Sequence, residues 1–174
     1  IGHGPSSSHT MAPRRAAQQF LQDTPDAQAY RVTLYGSLAA TGRGHLTDVA
    51  IIDVLSHKAT TEIEWRPSEI LPQHPNGMKF EALDSLGNVT RSWTTFSIGG
   101  GALSDDVHSD EKLYSETSLL EILNYCRSEG YSFWEYVEQH EGHDIWEHLT
   151  QVWQVMQDAI RRGLDTEGLL PGGL

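Results

Sequence analysis

The sequence predicts an α+β fold: a mixed or antiparallel sheet of about four strands, helices packed on one face, and a C-terminal helical section. Three observations carry this expectation. Apolar residues recur at the helical period over 11–22 and again over 46–55. Runs rich in Trp, Phe, Ile, Val and Thr, separated by turn residues, fill 60–98. Beyond residue 118 the helical period returns and persists almost to the end of the chain.

The elements follow in order. Met11 to Gln22 places Ala16, Ala17, Phe20 and Leu21 on one side, and Asp23-Thr24-Pro25-Asp26 ends it, so a helix is expected. Tyr30 to Tyr35 sets Arg31, Thr33 and Tyr35 against Val32 and Leu34, the alternation of a strand. A glycine-rich loop, residues 35–48, leads to a second helix over Leu46 to Leu55. Thr60 to Arg66, Gly77 to Asp84 and Val89 to Ile98 are expected as three antiparallel strands, the last two joined by a hairpin at Leu86-Gly87-Asn88, where Gly and Asn accept positive φ at little cost. Gly99-Gly100-Gly101 permits either a close backbone approach or a hinge at the strand end. Leu119, Ile122, Leu123 and Cys126 form an i, i+3, i+4, i+7 stripe stopped by Gly130, which makes Cys126 a core residue. Ser132 with Glu135 has capping-box form, and Asp144 with Glu147 repeats the pattern before Ile145, Leu149, Val152, Met156 and Ile160. Gly163 is the expected stop. These signals divide the chain into a domain over 1–163 and a linker over 164–174.

Composition narrows the function classes. A chain of 174 residues can bury a core without staples, and no apolar run approaches the roughly 20 residues that cross a bilayer. A single cysteine rules out an internal disulfide and, with no signal-like start, is consistent with a reducing, cytoplasmic setting. The start at Ile1 and the Gly-Pro-rich end suggest a piece of something longer. Of the net charge of −12, residues 105–174 carry −11 (15 acids, 4 bases) and residues 1–104 carry −1 (9 acids, 8 bases). This acidic surface lacks the basic stripe that nucleic acid requires.

Chemistry concentrates in two loops of the near-neutral part. Gly4-Pro5-Ser6-Ser7-Ser8-His9-Thr10 runs straight into the first helix, so its amides and hydroxyls lie where unpaired N–H groups and the helix dipole suit a carboxylate or phosphate. An imidazole titrating near pH ~6.5 stands beside them and could move a proton. Ser8 or Thr10 could equally be a simple helix cap, with the serines a flexible lead-in. The second loop, Tyr35 to Asp48, carries His45, also follows a strand and precedes a helix, and could face the same site. Glu141, His143, Asp144 and His148 lack the His-Glu-x-x-His order of a zinc site and are expected as surface charge, like His57 and His140. Gly42-Arg43-Gly44 lacks the third glycine and the parallel βαβ setting of a dinucleotide loop.

These two loops resemble the signature segments of the iron–sulfur-dependent L-serine dehydratases, in their β subunit or N-terminal β domain. The resemblance continues through His74-Pro75-Asn76-Gly77-Met78-Lys79-Phe80-Glu81-Ala82, Ser97-Ile98-Gly99-Gly100-Gly101 and the ending from Arg162 to Leu174. His3, Ala12 and Arg14 depart from the usual pattern. The resemblance implies a lyase that converts L-serine to pyruvate and ammonia, with a 4Fe-4S cluster held by an α domain or subunit, and an α+β fold shared with a regulatory domain of some 3-phosphoglycerate dehydrogenases. It implies His45 as general base or the base's partner, His9 as a substrate-orienting histidine, and Ser6, Ser7, Ser8 and Thr10 as supports for the substrate carboxylate. His74 and His108 are further candidates for lining or closing the site. A cluster needs at least three thiolates, so Cys126 alone cannot hold it and this chain by itself is expected to be inactive. A homodimer is expected. The alternative is a serine-sensing or dimerising regulatory module without a chemical role.

Overall fold

The computed structural model describes residues 1–104 and 113–169, which form two compact units: a sheet-bearing unit up to residue 104 and a helical unit from residue 113. The sheet unit runs through a five-residue π-type turn (Ser7–Met11), α1 (Ala12–Asp23), β1 (Ala29–Tyr35), α2 (Gly36–Thr41), α3 (Thr47–Leu55), β2 (Thr60–Arg66), β3 (Gly77–Leu83), β4 (Val89–Gly99) and β5 (Ala102–Ser104). Its five strands make one open mixed sheet in the order β2-β1-β3-β4-β5. The expected α+β class is therefore observed, with one strand more than anticipated.

Strand alternation decides which face is covered. Tyr30, Val32 and Leu34 of β1 lie beside Ala82, Phe80 and Met78 of β3, all buried on one face. Helices α1 and α3 pack there through Ala16, Ala17, Phe20, Ile51, Val54 and Leu55. The intervening residues Arg31, Thr33, Lys79 and Glu81 share the other face, where Lys79 Nζ approaches Glu81 at 2.6 Å and Arg31 lies 3.5 to 3.9 Å from Glu62, Glu64 and Glu81.

One expectation is corrected. β2 is not antiparallel to its neighbour but pairs in parallel with β1, Ala29 opposite Thr60 through Tyr35 opposite Arg66. The chain leaves β1 through α2 and α3 and returns on the same edge in the same direction, the connection a parallel pair needs. Period-two spacing looks the same for either direction, so the sequence carried no sign of it. Part of the stretch expected as loop, Gly36–Thr41, is the short helix α2. Gly36 holds φ +49, and a Cβ there would sit 2.4 Å from the Pro75 carbonyl, so a glycine is required where β1 turns into α2.

The β3–β4 connection is the expected hairpin, with Gly87 at φ +82. The Asp84 carboxylate accepts from the amides of Leu86 and Asn88, and hydrogen bonds from Asn88 hold it below the ordinary aspartate range. Gly99, Gly100 and Gly101 all take positive φ and make the turn from β4 into β5.

The helical unit contains α4 (Leu119–Glu129), α5 (Phe133–Glu141) and α6 (Ile145–Asp165). Ser118 with Glu121 and Ser132 with Glu135 form complete capping boxes. Asp144 makes no side-chain cap bond, because its φ and ψ are already helical and its carboxylate is not aimed at the following amides. Gly163 does not stop the last helix, which continues to Asp165; an exposed glycine costs a helix only about 1 kcal/mol. Among the described residues of this unit, only Cys126 and Tyr136 are buried, and Cys126 is the expected core residue. His140, expected on the surface, is instead half-buried: its Nδ1–H donates to the Tyr136 carbonyl at 2.8 Å and its ring packs against Tyr136 and Tyr114. Burial first, and the carboxylates of Glu116 and Glu141 second, push the phenols of Tyr136 and Tyr114 up to about 12. No helix among the described residues is long and apolar enough to cross a membrane.

Candidate functional site

The first loop folds onto itself before it can offer anything to a ligand. Ser6, extended at φ −126, caps the π-type turn: its hydroxyl accepts from the His9 amide at 3.1 Å and its carbonyl from the amides of Thr10 and Met11. Three amides at this helix start are thereby taken by one serine. The cap is Ser6, rather than Ser8 or Thr10. Ser7 is exposed, and the Ser8 hydroxyl lies 2.8 Å from His9 Nδ1.

The second loop is built by glycine and a strained residue. Gly42 has no room for a Cβ, which would meet the Leu38 carbonyl at 2.1 Å. Successive turn bonds, His45 N–H to Gly42 and Leu46 N–H to Arg43, curl the chain back towards α2. Leu46 then takes φ +56, a left-handed conformation that costs a leucine about 1 kcal/mol or more. This reversal faces His45 back along α2, where its Nδ1 lies 3.0 Å from the Thr41 carbonyl. A carbonyl only accepts, so Nδ1 carries the proton and the neutral ring keeps its lone pair on Nε2.

Two threonines then lock the loops together. Thr10 Oγ–H donates to the His45 carbonyl at 2.7 Å, and Thr47 Oγ–H donates to the His9 carbonyl at 2.5 Å. Each loop's threonine thus holds the backbone of the other loop's histidine, and both threonines are buried. The result is an imidazole pair with ring centroids 4.8 Å apart, tilted by 40°. His9 Nε2 reaches the Ser37 hydroxyl at 3.2 Å, so Ser8 and Ser37 flank the two nitrogens of one ring. Partial burial first, and the neighbouring His45 second, hold His9 below its ordinary value.

Of the expected site residues, His9 and His45 meet across 36 positions of sequence, with Ser8 beside them. Thr10 does not point outward: its hydroxyl donates to His45 and accepts from the Ser6 amide, so its visible role is to hold the loops. His74 accepts from the Asn76 amide within its own loop at 3.1 Å, while the neighbouring Pro75 carbonyl takes the Ser37 amide. His108 lies outside the described residues. Ser37 and Thr47 were missed; the signals available were a hydroxyl two residues past the end of β1's apolar run and another at the start of α3. A cavity of about 230 Å³ lies beside Thr10, lined also by His3, Arg14, Leu46, Val49 and Asp53.

The residues present do not suit an iron–sulfur cluster. Cys126, the single cysteine, is buried in the helical unit, and among the described residues no group of three His, Cys, Asp or Glu side chains could hold a metal ion.

Comparison with known proteins places the chain in a family. The chain is 34% identical to L-serine dehydratase 1 of Escherichia coli K12, 33% to the L-serine dehydratase of Mycobacterium tuberculosis and 31% to that of Haemophilus influenzae, in each case over 100% of its own length. It spans about half the length of these curated relatives, 50%, 49% and 50% respectively. The profile of the family described as "Serine dehydratase beta chain" matches residues 1–64 and 53–108, which include both histidine loops and the sheet. The chain belongs to the serine dehydratase β-chain family.

Proposed function

We propose that this chain is the β part of an L-serine dehydratase, an enzyme that eliminates water from L-serine and releases pyruvate and ammonia. The observation that carries the reading is the imidazole pair. Elimination requires removal of the Cα proton, and His45, with Nδ1 committed to the Thr41 carbonyl, keeps the Nε2 lone pair that such a base needs. His9, held between Ser8 and Ser37 and biased towards its neutral form, orients the substrate or relays the proton. Exposed Ser7, with Ser8, supports the substrate carboxylate. The 4Fe-4S cluster of the resembled enzymes would assist departure of the β-hydroxyl, and its thiolates would come from an α domain or subunit. The chain alone is then inactive, and the working enzyme is cytoplasmic and homodimeric.

The test is His45→Ala in the enzyme assembled with its remaining half. Turnover should fall by about 10² or more, the upper range for a general acid–base group. Near-normal turnover with altered cooperativity towards serine would instead favour a sensing domain without a chemical role.

A further inference from the structure

Helix α6 runs 21 residues and none of them is buried. Trp146, Leu149, Trp153, Met156 and Ile160 recur at intervals of three and four residues, each between 40% and 56% exposed. At the helical period these five make one strip. The ionisable residues of the helix, Glu147, His148, Asp158, Arg161, Arg162 and Asp165, all fall on the other side. Of the exposed large apolar residues of α6 only Val155 shares that side, a division that a helix shows when one face is covered, and the three-four spacing suits another helix as the cover. Within its own unit α6 is held at the first turn, where Trp146 Nε1–H donates to Glu138 at 2.7 Å and its ring lies 6.0 Å from that of Trp134. An isolated helix is marginal in water, so the strip needs a partner.

Three facts identify it. The β-chain profile matches only as far as residue 108, before the helical unit begins. The likeness to the curated dehydratases nevertheless continues through the whole chain. The matched segment covers only 50% of those relatives. The helical unit is therefore shared with the complete enzymes without being part of their β profile. A second copy of this chain is the poorer occupant, because residues 105–174 carry a net charge of −11 and two such regions repel.

We propose that the α6 strip is the docking surface for the half of the enzyme that the relatives carry beyond the matched segment, received as an apolar helical surface. The inference rests on the dehydratase reading above. It makes the helical unit the point where the two halves join, rather than an extension of the β domain.

The test co-expresses this chain with the unmatched half of Escherichia coli L-serine dehydratase 1 as a separate polypeptide and measures capture on a tag. The wild-type chain should capture that half, and Trp153→Glu should lower capture by at least about tenfold. His148→Glu, on the opposite side of α6, should leave capture unchanged. Because Trp153 is exposed, circular dichroism of the lone chain should be the same for all three. Capture unaffected by Trp153→Glu, or no capture by the wild type, would overturn the proposal, as would a lone chain that sediments as a dimer and becomes monomeric with Trp153→Glu. A complex that forms through the strip yet turns over no serine would leave the docking surface standing and sink the lyase reading.

Discussion

The sheet unit and the helical unit solve the same problem differently. In the first, two helices cover one face of a five-stranded sheet, Phe20, Tyr30, Phe80 and Trp93 interlock, and the loops that rise from this core have fixed positions. In the second, only Cys126 and Tyr136 are buried among the described residues, and the longest helix keeps its apolar strip in solvent. A site that needs two imidazoles at a set separation belongs on the first kind of scaffold; a surface that awaits a partner suits the second. The difference shows that burial within this chain is not shared evenly, and that apolar content alone does not report where the core lies.

The comparison breaks most visibly under large-to-small substitution. Phe80→Ala removes a fully buried ring 5.5 Å from Phe20 and 5.8 Å from Trp93, and should cost the sheet unit about 3–5 kcal/mol by urea unfolding. Trp153→Ala, removing a ring 56% exposed, should stay within about 0.5 kcal/mol for the lone chain. Comparable losses from the two would mean that α6 is packed in solution.

A smaller effect sharpens what the sheet unit does for its loops. Thr47→Val leaves the His9 carbonyl without its donor at a fully buried position and should cost about 1–3 kcal/mol. Imidazole resonances of His9 and His45 should shift with it, and Thr47→Ser should restore them. Thr24→Val deletes a similar bond, from Thr24 Oγ–H to the Phe20 carbonyl at 2.5 Å, and should lower stability without moving either imidazole. If both variants perturb the histidines equally, Thr47 is ordinary packing.

The smallest effect is on acid response. His9 is held below 6.5, so the unfolded chain takes up its proton first, and the sheet unit should begin to lose stability as pH falls below about 6.5, the loss continuing through the folded pKa. Glu116, Glu135 and Glu138 are held below 4.5, chiefly by hydrogen bonds from Tyr136, Ser132 and Trp146, so the helical unit should lose their contribution only below about pH 4.5. Amide exchange in β3 and α5 followed against pH reads the two separately. Simultaneous weakening near pH 4.5 would show that His9 is not buried enough to matter.

Much of this was legible in advance where the cause is local. The Ser132–Glu135 capping box, the glycine hairpin at Asp84 to Asn88, the burial of Cys126 and the helix after each loop depend on residues within a turn or two of one another. Where tertiary contacts overrode local preference, the reading failed: His140 is drawn into an aromatic cluster with Tyr136, and Thr10 turns inward to bind another loop's backbone. Ser37 went unnoticed because its importance comes from the ring it meets 28 positions away.

The sequence by itself determined the α+β class, the presence of two histidine-bearing loops each leading into a helix, and the charge separation between halves, because periodicity, glycine and capping residues act over short distances and composition is additive. Only the tertiary structure decided that β2 runs parallel to β1, that Thr10 and Thr47 exchange hydrogen bonds across the loops, and that the rings of His9 and His45 come within 4.8 Å of each other. Those outcomes depend on which segments the folded core brings together, and a linear pattern does not encode a separation in space.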